Sequence, residues 1–232
     1  ADDDELLAMM TNAGFSSTFI GIETPSVESL HECNKVQNKN RNMLHSVLKI
    51  QRAGLLVSGG FIVGFDSDSP AVFQQQIDFI QQSGIVSAMV GLLNAPKNTK
   101  LYHRLGAENR LITESSGNNT DLSMNFIPRM NPRDLIDGYN KIIHDIYTTR
   151  PYYKRVRQLM INYKRKNAKT VSFSYATLQA LIRSFLVIGI LNRGRGDFWK
   201  FIIWTMFIRP GLMADAIEYS IYGYHYRTVY GL

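Results

Sequence analysis

The sequence predicts an α/β fold in its first hundred residues, followed by helices alone. Near-continuous apolar runs are typical of parallel strands, and three such runs occupy Ser17–Ile22, Leu55–Val63 and Ile85–Leu93. A segment of helical character precedes each run and ends at a glycine, where a helix C-cap is expected. These glycines are Gly14, Gly54 and Gly84. Repeated helix–strand units favour parallel strands joined by crossover helices.

Apolar periodicity and capping residues place the helices. Ser69-Pro70 is typical of an N-cap followed by proline in the first turn. The predicted helices in the first part are Glu5–Asn12, Lys39–Arg52, Ala71–Gln82 and one that begins at Asn98. After a polar stretch, 106–136, the predicted helices are Arg133–Lys166, divided or kinked at Pro151, then Tyr175–Leu191, Asp197–Ile208 and Leu212–Tyr226. We predict two domains, 1–110 and 111–232.

Composition excludes several classes of protein. The 232 residues are 45% apolar and 19% charged, as in a folded globular protein. Cys33 is the only cysteine, so this chain alone makes neither a disulfide framework nor a multi-cysteine zinc or iron–sulfur site. Neither a signal pattern at Ala1 nor a run of roughly 18 apolar residues is present. These features predict a cytoplasmic protein.

Charge divides the chain into two unlike parts. Residues 1–149 have 12 Lys and Arg against 16 Asp and Glu, a net charge of −4. Residues 150–232 have 14 against 3, a net charge of +11, together with many aromatic residues. This difference indicates that the two parts have different roles.

Polar groups and glycines follow the predicted strands at their carboxyl ends. In α/β folds ligands bind beyond these ends. Glycine weakens a strand interior unless something approaches the backbone closely. The candidate residues are Glu23 after the first strand, Gly60, Ile62, Gly64 and Asp66 around the end of the second, and Asn94 and Ala95 after the third. Their convergence on one edge of the sheet predicts a pocket.

Each carboxylate also has a structural interpretation. Glu23 could cap the next helix or accept a hydrogen bond from a ligand, and the sequence favours neither. Asp66 and Asp68 precede a helix start, where acidic residues are favoured by the helix dipole, so taken singly they are expected to be structural. The five histidines have no metal-ligand spacing, and no phosphate-binding loop is present. We predict no metal site within this chain.

Phe19-Ile-Gly-Ile-Glu-Thr and Gly60-Phe-Ile-Val-Gly-Phe-Asp-Ser resemble the later half of a radical S-adenosylmethionine (SAM) barrel. The third strand and Leu92-Leu-Asn-Ala-Pro-Lys-Asn-Thr-Lys-Leu-Tyr102 strengthen the resemblance. The chain is most similar to the cobalamin-binding class, in its hopanoid methylase-like branch. The resemblance implies a C-terminal half of a (β/α) partial barrel, with about three parallel strands and a helical C-terminal domain.

The resemblance also implies roles for the strand-end residues. Glu23 would contact the ribose or methionyl part of SAM. Gly60-x-Ile62-x-Gly64 matches the start of the family's Gly-x-Ile-x-Gly-x-x-Glu motif, in which the isoleucine packs on the adenine. Ser67 stands where that motif has glutamate, flanked by Asp66 and Asp68, so that role is not carried over. Asn94 and Ala95 would lie near the adenine edge.

The sequence departs from the family at its cofactor ligands. The Cys-x-x-x-Cys-x-x-Cys loop that binds the [4Fe–4S] cluster and the cobalamin domain are both missing from these residues. We therefore expect the cluster and cobalamin to be held by a missing N-terminal part of the same protein. The expected function is the SAM-binding part of a methyltransferase for a lipid or other apolar substrate, inactive as this chain alone.

The basic, aromatic part after residue 150 supports an alternative class of function. It could be an ordinary helical domain with a solvated basic face. It could instead be a non-catalytic module that contacts an anionic membrane surface, at the inner face of the membrane, through aromatic and basic side chains. RNA binding ranks lower, since aromatic residues at helical spacing more often pack in a core than stack on bases.

Overall fold

In the computed structural model the chain has the predicted α/β fold, with one three-stranded parallel sheet followed by helices. The structure describes residues 2–35, 42–115, 122–165 and 175–232. The strands are β1 (Ser17–Glu23), β2 (Leu56–Val63) and β3 (Ala88–Leu92), in the spatial order β1-β2-β3. This arrangement confirms the predicted partial β/α fold with a helical C-terminus.

Helices alternate with the strands in the first part of the chain. They are α1 (Asp4–Asn12), α2 (Val27–Glu32), α3 (Met43–Arg52), α4 (Ala71–Ser83) and α5 (Lys100–Ala107). Local capping sets several of their starts: for example, the Asp3 and Thr99 side chains accept from the backbone N–H groups three residues ahead. The predicted start of α3, residues 39–41, lies outside the described residues.

From Pro132 onward, the described residues form seven helical segments. They are α6 (Pro132–Tyr147), α7 (Thr149–Asn162), α8 (Tyr175–Leu186), a π-helical turn (Val187–Leu191), α9 (Arg195–Ile208), a 3₁₀ turn (Pro210–Leu212) and α10 (Met213–Tyr230). Pro151 does divide the long predicted helix, because it lies in the first turn of α7, where proline is tolerated. The predicted end of that helix at Lys166 lies outside the described residues.

Helices cover one face of the sheet and leave the other open. On β2, Val57, Phe61 and Val63 are buried against α3, α4 and α6, whereas the alternate residues are only partly buried. On the opposite face, the Phe19 and Met89 side chains remain 60% and 56% exposed. Near-continuous apolar runs are typical of parallel strands that are covered on both faces. The described part of the chain supplies cover for one face only.

The C-terminal helices belong to the same hydrophobic core as the sheet. That core runs from Leu7 in α1 to Tyr219 in α10, and the Tyr147 hydroxyl at the end of α6 donates to the carbonyl of Ala88 in β3 at 2.7 Å. The predicted domain boundary near residue 110 stays a prediction. Because the sheet and the later helices share one hydrophobic core, each stabilises the other.

Arg155 joins the two ends of this core. Its side chain is fully buried, and its guanidinium donates to the carbonyls of Ile146 (2.6 Å) and Val86 (3.4 Å). It lies over the rings of Tyr147 and Tyr152, 5.5 and 5.3 Å from their centroids. Burial lowers the pKa of the Arg155 guanidinium. Arg155 thereby satisfies the Ile146 carbonyl at the C-terminus of α6, where a positive charge is also favoured by the helix dipole, and links it to the segment before β3 through Val86.

Across the described residues, none of the helices combines the length and the apolar character needed to span a bilayer.

Candidate functional site

Glu23 ends β1 in an unusual backbone conformation. Its φ is +65°, and the pairing with β2 shifts register between Gly21 and Glu23. The turn brings its carboxylate back over the strand, where Lys35 binds it at 2.9 Å. A Cβ added to Gly21 would lie 2.5 Å from Glu23 Oε1, so this placement of the carboxylate requires glycine at position 21.

A cleft of about 500 Å³ lies at the carboxyl ends of the strands and contains Glu23 and Ile62 together. Its apolar lining consists of Ile62, Phe65, Leu93 and Leu101, and its charged lining of Glu23, Glu32, Lys35, Lys100 and Arg104. Both signs of charge beside an apolar floor suit a ligand that has an apolar ring system and a zwitterionic end. Two of the predicted site residues are thus brought into one cleft.

Gly60 and Gly64 serve different structural needs. Gly60 lies on the open face, and a Cβ there would meet the Phe19 ring at 3.1 Å. Gly64 has φ +107°, a backbone conformation that L side chains rarely adopt. A Cβ at Gly64 would meet the Leu135 and Met124 side chains at 3.3 Å, and neither glycine is among the residues that line the cleft.

Asp68 holds the turn that follows β2. Its carboxylate accepts from the backbone N–H groups of Gly64 (2.8 Å) and Phe65 (3.1 Å) and from the Ser29 hydroxyl (2.6 Å). Burial raises the pKa of the Asp68 carboxyl against the opposing effect of these donors. The structural interpretation of Asp68 is the one its contacts favour.

Asp66 lies in a cluster of arginine side chains. Arg110 binds it with two nitrogens, at 2.6 and 2.8 Å, while Arg104 and Arg129 approach to 3.1 and 3.6 Å. The hydrogen bonds from Arg110, together with the neighbouring positive charges, hold the pKa of the Asp66 carboxyl below its ordinary value. Asp66 is only 6% exposed and is engaged by protein cations. A ligand role for it stays a prediction.

Glu32, at the end of α2, binds the segment where the family motif has glutamate. Its carboxylate accepts from the backbone N–H groups of Asp66 (3.2 Å) and Ser67 (2.9 Å) and from the Ser67 hydroxyl (2.8 Å). Arg104 donates to Glu32 Oε1, the oxygen that also accepts from the Asp66 N–H, at 3.1 Å. A carboxylate from a different helix therefore lies against Ser67.

The side chain of Asn125 binds the backbone of Ala95, in the segment that follows β3. Its side-chain oxygen accepts from the N–H of Ala95, and its amide nitrogen donates to the carbonyl of Ala95, each at 2.8 Å. Asn94 accepts from the backbone N–H of Asn125 at 3.2 Å. The edge of an adenine also offers one hydrogen-bond donor and one acceptor. It could bind the backbone of Ala95 only by displacing the Asn125 amide.

Sequence reasoning missed the partners of the predicted residues. They are Glu32, Lys35, Arg104, Arg110 and Asn125. None lies at a strand end, and each depends on a fold contact that local pattern does not encode. Cys33 lines the cleft, where burial raises the pKa of its thiol. Among the described residues, no group of three or more His, Cys, Asp or Glu side chains is arranged to hold a metal ion.

Comparison with known families supplies the decisive observation. Residues 99–231, from the start of α5 to the C-terminus of α10, match the profile of a domain of unknown function, DUF4070. The chain belongs to the DUF4070 family. This domain is found in cobalamin-binding radical SAM methylases. The predicted resemblance to that superfamily, in its hopanoid methylase-like branch, is confirmed.

Three curated relatives extend the comparison beyond the DUF4070 domain. An uncharacterized methyltransferase of Synechocystis is 33% identical over 230 residues, 97% of this chain and 43% of the relative. The hopanoid C-2 methylase of Rhodopseudomonas palustris is 36% identical over 112 residues, which are 48% of this chain and 21% of the relative. The bacteriochlorophyllide d C-12(1)-methyltransferase of Chlorobaculum tepidum is 29% identical over 101 residues, which are 44% of this chain and 22% of the relative. The DUF4070 chain therefore spans less than half the length of these relatives.

Proposed function

We propose that this chain is the SAM-binding part of a cobalamin-dependent radical SAM enzyme, a methyltransferase for a lipid or other apolar substrate. The observation that supports this most is the strand-end cleft, where Ile62 and Glu23 line one space of about 500 Å³. The names of the relatives support the reaction class, since all three are methyltransferases or methylases.

The cleft residues fit SAM by their chemistry. Ile62 offers the apolar surface on which the adenine would pack. Glu23 would accept a hydrogen bond from the ribose or from the α-amino group, while Lys35 is close enough to bind the α-carboxylate. When bound, SAM supplies the carbon that a methylation needs. The protein side chains bind and orient it.

The adenine of SAM and the Asn125 side chain would compete for the same backbone groups of Ala95. Asn94 and Ala95 are the proposed neighbours of the adenine, yet Asn125 already pairs with both backbone groups of Ala95. We therefore propose that SAM displaces the Asn125 amide when its adenine binds. The number of hydrogen bonds to Ala95 would stay the same, because the adenine edge would replace both the acceptor and the donor of the Asn125 amide.

The residues of this chain do not fit a [4Fe–4S] cluster, because three thiolates are needed and Cys33 is the only cysteine. We propose instead that the cluster and cobalamin are held by further polypeptide of the same protein. The open face of the sheet, with Phe19 and Met89 exposed, offers a surface for it. The chain alone is then expected to be inactive.

A non-catalytic binding module is the second candidate function. It is favoured by an exposed apolar surface beside basic side chains in the C-terminal helices. The partner of such a module would be an anionic membrane at its cytoplasmic face, which can contact both the apolar and the basic side chains. RNA binding explains the basic residues but leaves the exposed apolar ones unexplained.

Binding of SAM to the full-length protein that contains this chain tests the first proposal. With Glu23→Gln or Ile62→Asp we expect affinity measured by anaerobic equilibrium dialysis to fall about tenfold, the loss of one charge-assisted hydrogen bond or one apolar contact. Glu28→Gln is the matched control, an exposed carboxylate on α2 outside the cleft. Unchanged affinity in both cleft variants would refute the assignment of SAM to this cleft.

The isolated chain provides a separate test. We expect it to bind SAM weakly or not at all and to form no cluster upon anaerobic reconstitution with iron and sulfide. A stable [4Fe–4S] absorbance in the reconstituted 232-residue chain would contradict the proposal that the cluster is held elsewhere.

A further inference from the structure

Helix α9 is apolar on its outer side as well as its inner side. Its inner residues, Phe198, Phe201, Ile202 and Thr205, are buried in the core. Its outer side has an apolar stripe at three- and four-residue spacing, formed by Trp199, Ile203, Met206 and Phe207. A surface helix normally has a polar outer face, so an apolar stripe on that face indicates a further apolar environment.

The residues of the apolar stripe protrude from the protein. Phe207 is 73% exposed, and Ile203 and Met206 are about half exposed. The preceding π-helical turn adds the exposed Leu191, 75% accessible, and is joined to the stripe by a hydrogen bond from Trp199 Nε1 to the carbonyl of Gly189 at 2.8 Å. These exposed side chains form an apolar patch that a monomeric protein in water rarely presents without a partner.

Basic side chains border the apolar stripe. A cleft of about 550 Å³ between α7 and α9, the basic cleft, is lined by Arg150, Lys154, Arg157 and Lys200. Among its described lining residues Asp197 is the one carboxylate. Lys200 lies on the outer side of α9 with the stripe, and Arg157 donates to the Lys200 carbonyl at 2.9 Å while stacking on Trp204. The cations and the apolar stripe thus form one continuous surface.

We propose that this surface binds an anionic phospholipid bilayer. The basic cleft would receive headgroup phosphates, and the apolar stripe would enter the region between headgroups and acyl chains. Lysine and arginine stems are long enough to keep their charges at the headgroups while the apolar residues enter. RNA would engage the cations alone and leave Ile203 and Phe207 in water. This membrane contact rests on the second candidate function above; it does not depend on methyl transfer, and the basic cleft shares no lining residue with the strand-end cleft.

Flotation of the 232-residue chain with vesicles tests the proposal. We expect binding to vesicles of phosphatidylcholine with 30% phosphatidylglycerol, about tenfold weaker binding to phosphatidylcholine alone, and weakening by salt. Ile203→Glu with Phe207→Glu should lower binding to anionic vesicles at least about tenfold. Lys154→Gln with Lys200→Gln should remove the preference for anionic lipid.

Matched variants at other exposed positions serve as controls. Ile112→Glu controls for the apolar change, and Arg52→Gln with Arg133→Gln controls for the loss of two cations; all should bind like the unaltered chain. Vesicles with acyl-brominated lipid should quench tryptophan fluorescence, and less so after Trp199→Phe. Quenching requires no substitution that could disturb folding, so it stands even if a glutamate variant fails to fold.

Three results would overturn the proposal. One is failure to float with anionic vesicles, including the case in which the chain instead binds RNA through Lys154 and Lys200. Another is binding without quenching by brominated lipid, which would exclude insertion of the stripe. The third is a dimer in solution that Ile203→Glu with Phe207→Glu dissociates, which would assign the stripe to a second copy of this chain.

Discussion

Arg110 binds both carboxylate oxygens of Asp66, across 44 positions of sequence. The pair joins the turn after β2 to the segment after α5. With Asp66 nearly inaccessible, its loss leaves the Arg110 guanidinium without its main counter-charge. We expect Asp66→Asn to lower the free energy of unfolding by about 3 kcal/mol in urea titrations. Asp78→Asn, an exposed carboxylate that pairs only locally with Gln74, is the control.

The same pair makes a prediction about pH. The pKa of Asp66 in the folded chain lies below its ordinary value. Its contribution to stability is therefore complete above the unfolded-state pKa and is lost as pH falls through the folded-state pKa, in a window below about pH 4. The difference in unfolding free energy between the unaltered chain and Asp66→Asn should shrink in that window. A difference that stays constant down to pH 2 would contradict the role assigned to this ion pair.

Asn125→Ala separates a structural role of Asn125 from its competition with adenine. Removal of the side chain leaves the buried N–H and carbonyl of Ala95 unpaired, which should cost about 1–3 kcal/mol of stability. Asn12→Ala, at the exposed end of α1, is the control. In the full-length protein the same variant should bind SAM more tightly, because no amide needs to be displaced. Unchanged affinity would place the adenine away from Ala95.

Arg155→Met tests the buried guanidinium in the core. Methionine fills similar space but makes no hydrogen bonds, so the carbonyls of Ile146 and Val86 lose their donor. We expect a loss of about 2–3 kcal/mol in unfolding free energy. Arg150→Met, an exposed position on the same helix, should change stability by less than about 0.5 kcal/mol. Equal effects of the two variants would refute the role of Arg155.

Two glycines give opposite expectations for the same substitution. A Cβ on Gly138 of α6 would collide with the ring of Phe73 on α4, whereas a Cβ on Gly196 of α9 meets no atom within 4 Å. Gly138→Ala should therefore lower the midpoint of thermal unfolding, at a cost of about 1–3 kcal/mol. Gly196→Ala should leave the midpoint unchanged or raise it slightly. A stable Gly138→Ala variant would show that α4 and α6 separate easily.

Much of the fold was predictable because its signals are local. Periodic apolar residues, capping side chains and glycine C-caps act within a few positions, and they located β1, β2, α1, α3 and α4. The short helix α2 (Val27–Glu32) was not among the predicted helices. The third strand was predicted too long, Ile85–Leu93 against Ala88–Leu92. The extra residues are apolar because they are buried, with Ile85 and Val86 inside the core although they are not in the strand. Burial and strand pairing give the same apolar signal in a sequence.

The sequence by itself determined the α/β order, the polar strand ends and the family of the chain. Only the tertiary structure decided what those ends contact: Lys35 at Glu23, three arginines at Asp66 and Asn125 at Ala95. It also decided that one face of the sheet stays open and that α9 is apolar on its outer side. The reason is the distance along the sequence between the residues that interact. Helix and strand formation follow from neighbouring residues, whereas a partner 30 or 44 positions away is fixed only when the chain has packed.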